Sequence, residues 1–205
     1  MIARGDESDL SVSQRLVPLL VLLTLLLAAV FVTSFGIVEE RERGTLSAML
    51  VTPTTLGEVL AAKGALGLVL AIAMAVVTLA LNDALSARPL ALLAGLLLGA
   101  VMSVQIGLIY GTLASDAKTL YTLVKSLNLL LVGPVVFYLF PDWPQWIAKL
   151  FPTYWFLDPI FEVAVQGADL AQVSGDLLVG AGICLALVPL IAWLARRAET
   201  RVAAG

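Results

Sequence analysis

The chain contains no histidine and a single cysteine, Cys184, among its 205 residues. An intrachain disulfide is therefore impossible, the redox compartment is not legible, and a structural zinc site lacks its usual ligands. Charge is scarce too: Asp, Glu, Lys and Arg make up 13% of the chain, about half their share in a soluble domain. The net charge of −3 excludes a basic nucleic-acid surface. No Gly-rich phosphate loop, Ser/His/Asp set or metal-ligand cluster can be assembled from these residues. The chain is thus expected to bind no cofactor or metal and to catalyse no hydrolysis itself. No polar stretch is long enough to bury a core of its own, so no separate soluble domain is expected. Residues 1–15 are polar and mixed in charge, without the basic-then-apolar order of a cleavable signal peptide.

What the chain has is apolar length. It is 60% hydrophobic, with a mean hydropathy of +1.01, as expected of an integral membrane protein. A spanning helix needs about 20 apolar residues. Five segments qualify: Leu16–Val38, Val59–Leu81, Pro89–Ala114, Leu127–Phe140 and Leu177–Leu194. The fourth reaches span length only if Leu120–Ser126 join it. Lys63 interrupts the second near its start, where a long side chain can snorkel to the interface. Each span must satisfy its own backbone in lipid, so the fold class is all-α and polytopic.

Charge asymmetry sets the expected orientation. One face collects Arg41, Arg43, Lys63, Lys118, Lys125, Arg196, Arg197 and Arg201; the other has only Arg4, Arg15, Arg88 and Lys149. The first face is read as cytoplasmic, with the N-terminus outside and the C-terminus inside. Asp83, Asp158, Glu162 and Asp169 are among the carboxylates assigned to the outer face.

Between the first two spans lies Glu39-Glu40-Arg41-Glu42-Arg43-Gly44-Thr45-Leu46-Ser47-Ala48-Met49-Leu50-Val51-Thr52-Pro53. It opens with five consecutive charges. Leu46, Met49 and Leu50 fall at i, i+3, i+4 and make one apolar stripe on a short helix. Pro53 should stop that helix at Thr52. Thr55 and Glu58 then have capping-box spacing at the start of the second span. Interfacial helices that float on lipid usually carry Lys and Arg. Three glutamates against two arginines favour a protein-docking element instead.

These residues resemble the signature of ABC-2 type transporter permeases. In that family a cytoplasmic loop carries an E-x-E-R-G-T-L…L-x-[ST]-P pattern, matched here by Glu40, Glu42, Arg43, Gly44, Thr45, Leu46, Leu50, Thr52 and Pro53. The resemblance implies a coupling helix over residues 39–55 that docks on a separate ATP-binding subunit. Glu39, Arg41 and Met49 belong to the same expected docking set. It also implies a second permease subunit, alike or different, and ATP and Mg²⁺ held by the partner rather than by this chain. The family plan has six spans, so the Leu16–Val38 span would correspond to the family's second. The whole chain, 1–205, is read as one transmembrane domain, with an outer N-terminal segment over 1–15.

Three further features stand out. Gly95, Gly99, Ser103, Gly107 and Gly111 place a small residue at every fourth position of the third span, which lets another backbone approach closely. At 3.6 residues per turn this row drifts around the helix. Gln105 and Asn128 are polar positions that could line a path, though interhelical hydrogen bonding is the plainer role. No charged residue is read as lying mid-membrane, so no proton relay is expected. Ten of the fifteen aromatics fall between Phe137 and Phe161, Trp143, Trp146, Tyr154 and Trp155 among them. Residues 141–168 are broken by Pro141, Pro144, Pro152 and Pro159. They are read as one or two short re-entrant helices held at the outer interface by aromatic rings. Gly133-Pro134 and Pro189 should kink the fourth and fifth spans.

The expected function is that of the permease subunit of an ATP-driven exporter, carrying a drug, lipid or other amphipathic or polymeric substrate across the cell membrane. The competing expectation is a non-transporting or degenerate membrane scaffold that recruits a partner protein.

Overall fold

The computed structural model describes residues 12–45, 55–85, 88–140 and 143–203. Those residues form helices and turns, with no strand among them. The first span is built from α1 (Val12–Leu25), a π-helical segment (Leu26–Phe31) and α2 (Val32–Glu42). The remaining spans are α3 (Leu56–Leu81), α4 (Pro89–Leu113), α5 (Ala117–Leu139) and α7 (Leu170–Ala203). Between α5 and α7 lie a 3₁₀ turn (Gln145–Leu150) and α6 (Tyr154–Gln166). Five helices are long and apolar enough to cross a membrane.

Local chemistry sets most boundaries. Thr55 and Glu58 form the expected capping box at the start of α3: the Glu58 N–H donates to Thr55 Oγ1 at 3.3 Å, and the Thr55 N–H donates to Glu58 Oε2 at 2.9 Å. Pro89 opens α4, where its missing N–H costs nothing. Asp116 caps α5 by accepting from the Thr119 N–H at 2.8 Å, so the fourth span starts at Ala117 and needs no shortening. Gly167, at φ +68°, closes α6 in the left-handed conformation that glycine adopts freely.

Two expectations are corrected. The charged run does not open a new helix: Glu39–Glu42 are the last turn of α2, and the chain first leaves the helix at Gly44, φ +72°. Glutamate and arginine are good helix formers, and nothing before Gly44 breaks the ladder. Pro159 does not break the outer segment but sits inside α6. Asp158, assigned to the outer side by its context, is buried, at 3% exposure.

The span α4 is the hub. It packs on α7, on α2, on α6 and on α3. Two thirds of its apolar window is buried, against 17% for α7, whose remaining apolar surface faces outward as a lipid-bathed helix does. The small residues of α4 explain its centrality. A Cβ on Gly95 would sit 2.9 Å from the Ile160 side chain, and one on Gly99 would sit 2.7 Å from the Phe156 ring. Further along, a Cβ on Gly107 would meet the Val30 carbonyl at 2.9 Å, and one on Gly111 the Ile37 side chain at 2.8 Å. The row therefore turns from α6 at one end to the first span at the other, as a four-residue period must on a 3.6-residue helix.

Candidate functional site

Four span termini meet at the charged end of the bundle, and the charges of α2 join them. Glu40 Oε1 pairs with Lys63 Nζ of α3 at 2.5 Å, both side chains about three-quarters buried. Lys63, expected to snorkel to the interface, is thus turned across to α2. The Arg41 guanidinium donates to the Gly111 carbonyl at 3.2 Å and to the Ala114 carbonyl, at the C-terminus of α4. Those carbonyls have no partner within their own helix, and a cation there is favoured by the helix dipole. Glu42 Oε1 accepts from the Ala117 N–H at 2.8 Å, at the N-terminus of α5. A carboxylate there satisfies an orphan donor and again suits the dipole.

Three successive residues therefore reach three different spans. Glu39 and Arg43 point elsewhere: they pair with each other at 2.6 Å on the exposed face, one helical turn apart. Thr45 closes the turn by donating to the Glu40 carbonyl at 3.1 Å. Gly44 is exposed and open around its α-carbon. Leu46, Met49, Leu50, Thr52 and Pro53, expected to complete the docking element, lie outside the described residues. Asp116, beside Glu42's contact, is held below the usual carboxylate range by the Thr119 N–H first and the Ser115 hydroxyl second.

Within the bundle, Gln105 is buried and its Nε2 donates to the Cys184 carbonyl of α7 at 3.0 Å, an interhelical hydrogen bond. Its Oε1, the Ser103 hydroxyl and the Thr33 hydroxyl are buried without hydrogen-bond partners. Asn128 lies on α5, with its side chain outside the described residues.

The outer aromatic segment divides in two. Trp143 and Trp146 are exposed, whereas Tyr154 is buried and Trp155 is partly covered. Buried beside Tyr154 is the carboxylate of Asp158, which accepts from the Tyr154 hydroxyl at 2.7 Å and from the Tyr138 hydroxyl of α5 at 3.0 Å.

Residues 1–195 match the model of a family described as Rv2686c-like fluoroquinolones export permease proteins. The chain belongs to this family of ABC-2 type permeases. It is accordingly a multi-pass membrane protein of the efflux-permease type. A permease of this kind works with an ATP-binding partner in an ABC transporter. No curated protein and no solved structure matches the chain.

In this permease, sequence reasoning missed Asp158, Tyr138 and Thr153. Thr153 is fully buried and its hydroxyl donates to the Leu131 carbonyl of α5 at 2.8 Å. The i, i+4 spacing of Tyr154 and Asp158 was one available signal. The contacts of Asp158 and Thr153 with α5 had none, because the partners are 20 and 22 residues away on another helix.

Proposed function

We propose that the chain, as one transmembrane domain over residues 1–205, is the membrane subunit of an ATP-driven exporter. ATP and Mg²⁺ are bound by a separate subunit, which docks at the charged end through Glu39, Arg43, Gly44, Thr45 and the residues from Leu46 to Pro53. Two permease subunits pair in lipid, the N-terminus lies outside and the C-terminus in the cytoplasm. The cargo is an amphipathic drug, for which the family description suggests a fluoroquinolone as the first probe.

The observation that supports this reading most is the reach of Glu40, Arg41 and Glu42 into α3, α4 and α5. A push on the segment that follows is thereby passed to three spans at once. A partner can shift the balance between two states only through contacts that differ between them.

The test is co-expression with a candidate ATP-binding subunit. The double variant Glu39→Ala/Arg43→Ala is expected to weaken co-purification while the permease still folds. Glu42→Ala is expected to keep co-purification and to lower drug-stimulated ATP hydrolysis several-fold. Unchanged co-purification and unchanged stimulation in both would remove the docking role.

A further inference from the structure

The span α5 is held differently from its neighbours. α6 lies backbone-close to α4, where Ile160 and Phe156 fill the space above Gly95 and Gly99. It also packs on α7 and α1. Towards α5, the glycine-level contact comes from Phe151, before α6 begins, and α6 with its N-cap reaches across through polar and aromatic side chains. Tyr138 donates to Asp158 and stacks edge-on against Phe161, with centroids 5.0 Å apart. Thr153 donates to the Leu131 carbonyl. The Phe151 ring occupies the place a side chain on residue 133 would take, 2.5 Å from where its Cβ would stand.

Those contacts cluster around Pro134, which removes one backbone hydrogen bond from the last two turns of α5 and weakens the helix there. At its opposite end α5 is held by Glu42, through the Ala117 N–H. A carboxylate thus stands at each end of one span, each making a cross-element hydrogen bond at 2.8–3.0 Å.

Close steric packing and hydrogen bonding differ in how they yield. Glycine-level contact has no second arrangement nearby, because the atoms already touch. A side-chain hydrogen bond contributes only about 1 kcal/mol net, somewhat more when charged, and can be exchanged for one to water. Ionisable groups buried within membrane proteins are costly and tend to be functional. If the outer end of the bundle opens, it opens where α5 meets α6.

We propose that Tyr138 and Asp158 form a releasable latch between the outer half of α5 and α6, with Asp158 a positioning residue for export. α5 is the span that carries motion from Glu42 to this latch. The inference rests on the export reading above, yet its first test does not require transport.

That test places a cysteine at Val135, a buried position one turn before Tyr138, in a Cys184→Ala background. A membrane-impermeant maleimide is then applied to the outer face. Adding Tyr138→Phe, which keeps the ring contact with Phe161, is expected to speed labelling at least threefold. Adding Tyr154→Phe, which removes the Tyr154 hydrogen bond to the same carboxylate and leaves that of Tyr138, is expected to leave the rate at the parent value. No acceleration by Tyr138→Phe overturns the latch. Equal acceleration by both variants makes Asp158 an anchor of α6 alone and overturns it too.

The second test uses the complex with its ATP-binding subunit. Tyr138→Cys and Asp158→Cys, joined by a short bis-maleimide in the Cys184→Ala background, are expected to abolish export of a fluorescent fluoroquinolone. The same pair left unjoined, which lacks the Tyr138–Asp158 hydrogen bond, is expected to export less than the parent but measurably, and sets the baseline for the joined protein. Full export by the joined protein refutes the latch. Absence of export from the parent complex would count against the exporter reading, and the labelling result would still decide the latch.

Discussion

The spans α4 and α5 are similar in length and both cross the bundle, yet they are attached in opposite ways. α4 is gripped along its whole length by backbone-close contacts at Gly95, Gly99, Gly107 and Gly111. α5 has one such contact, Gly133 against the Phe151 ring, and is otherwise held by polar contacts: Glu42 at Ala117, Thr153 at Leu131, and Asp158 at Tyr138. In lipid there is little hydrophobic drive between helices, so packing and hydrogen bonds decide which of them hold still. Close packing along its length makes α4 the frame. Separable polar bonds make α5 the part that can move against it.

The largest expected effect breaks the frame. Gly107→Leu forces a side chain into the Val30 carbonyl and should cost at least about 3 kcal/mol. The readout is the yield of monodisperse, detergent-solubilised protein, which should collapse. A Leu tolerated there would mean that α4 is not tightly gripped.

Lys63→Met comes next. It leaves the largely buried Glu40 without its partner, at a cost on the order of 2 kcal/mol. Thermal unfolding in detergent should fall by several degrees, and Glu40→Gln in the same chain should recover much of the loss. Glu42→Ala is smaller in stability, about 1 kcal/mol as for a helix cap. If α5 is the moving part, its effect on drug-stimulated ATP hydrolysis should exceed that of Lys63→Met despite the smaller stability loss.

Glu39→Ala and Arg43→Ala remove an exposed pair worth less than about 0.5 kcal/mol. Unfolding should barely shift, so any loss of partner binding reports docking alone.

The smallest effect concerns acid. Asp116 has its folded pKa depressed by the Thr119 N–H and the Ser115 hydroxyl. A depressed carboxylate stabilises the fold above its unfolded pKa, and that contribution is lost as pH falls through the folded value. A slight acid-limb destabilisation is therefore expected below about pH 4. It should vanish in Asp116→Asn, which can still cap α5.

The five spans were legible in the sequence because lipid leaves an apolar segment no alternative to a helix. The capping box at Thr55 and Glu58 was legible because its chemistry is local. The direction of the charged run was not. Glu40, Arg41 and Glu42 are adjacent in sequence, but each is satisfied by an element reached only through the fold: Lys63, the end of α4 and the start of α5. Spacing alone shows a charged corner and cannot show which charges face inward. The π-helical segment at Leu26–Phe31 had no signal within its apolar run. There the Ser34 hydroxyl donates to the Val30 carbonyl at 2.6 Å, and α4 approaches at Gly107. Asp158 looked like one more outer carboxylate because its Tyr138 partner lies on another helix.

The most direct measurement of α5 moving against α4 is a pair of spin-label distances in the complex with the ATP-binding subunit. One pair joins Leu139 of α5 to Gln166 of α6. The control pair joins Leu90 of α4 to Leu170 of α7. All four positions are exposed. The labels are carried on cysteines in a Cys184→Ala background. Trapping ATP should shift the Leu139–Gln166 distance and leave the Leu90–Leu170 distance in place. A fixed Leu139–Gln166 distance, or an equal shift in both pairs, would contradict the assignment of α5 as the moving span.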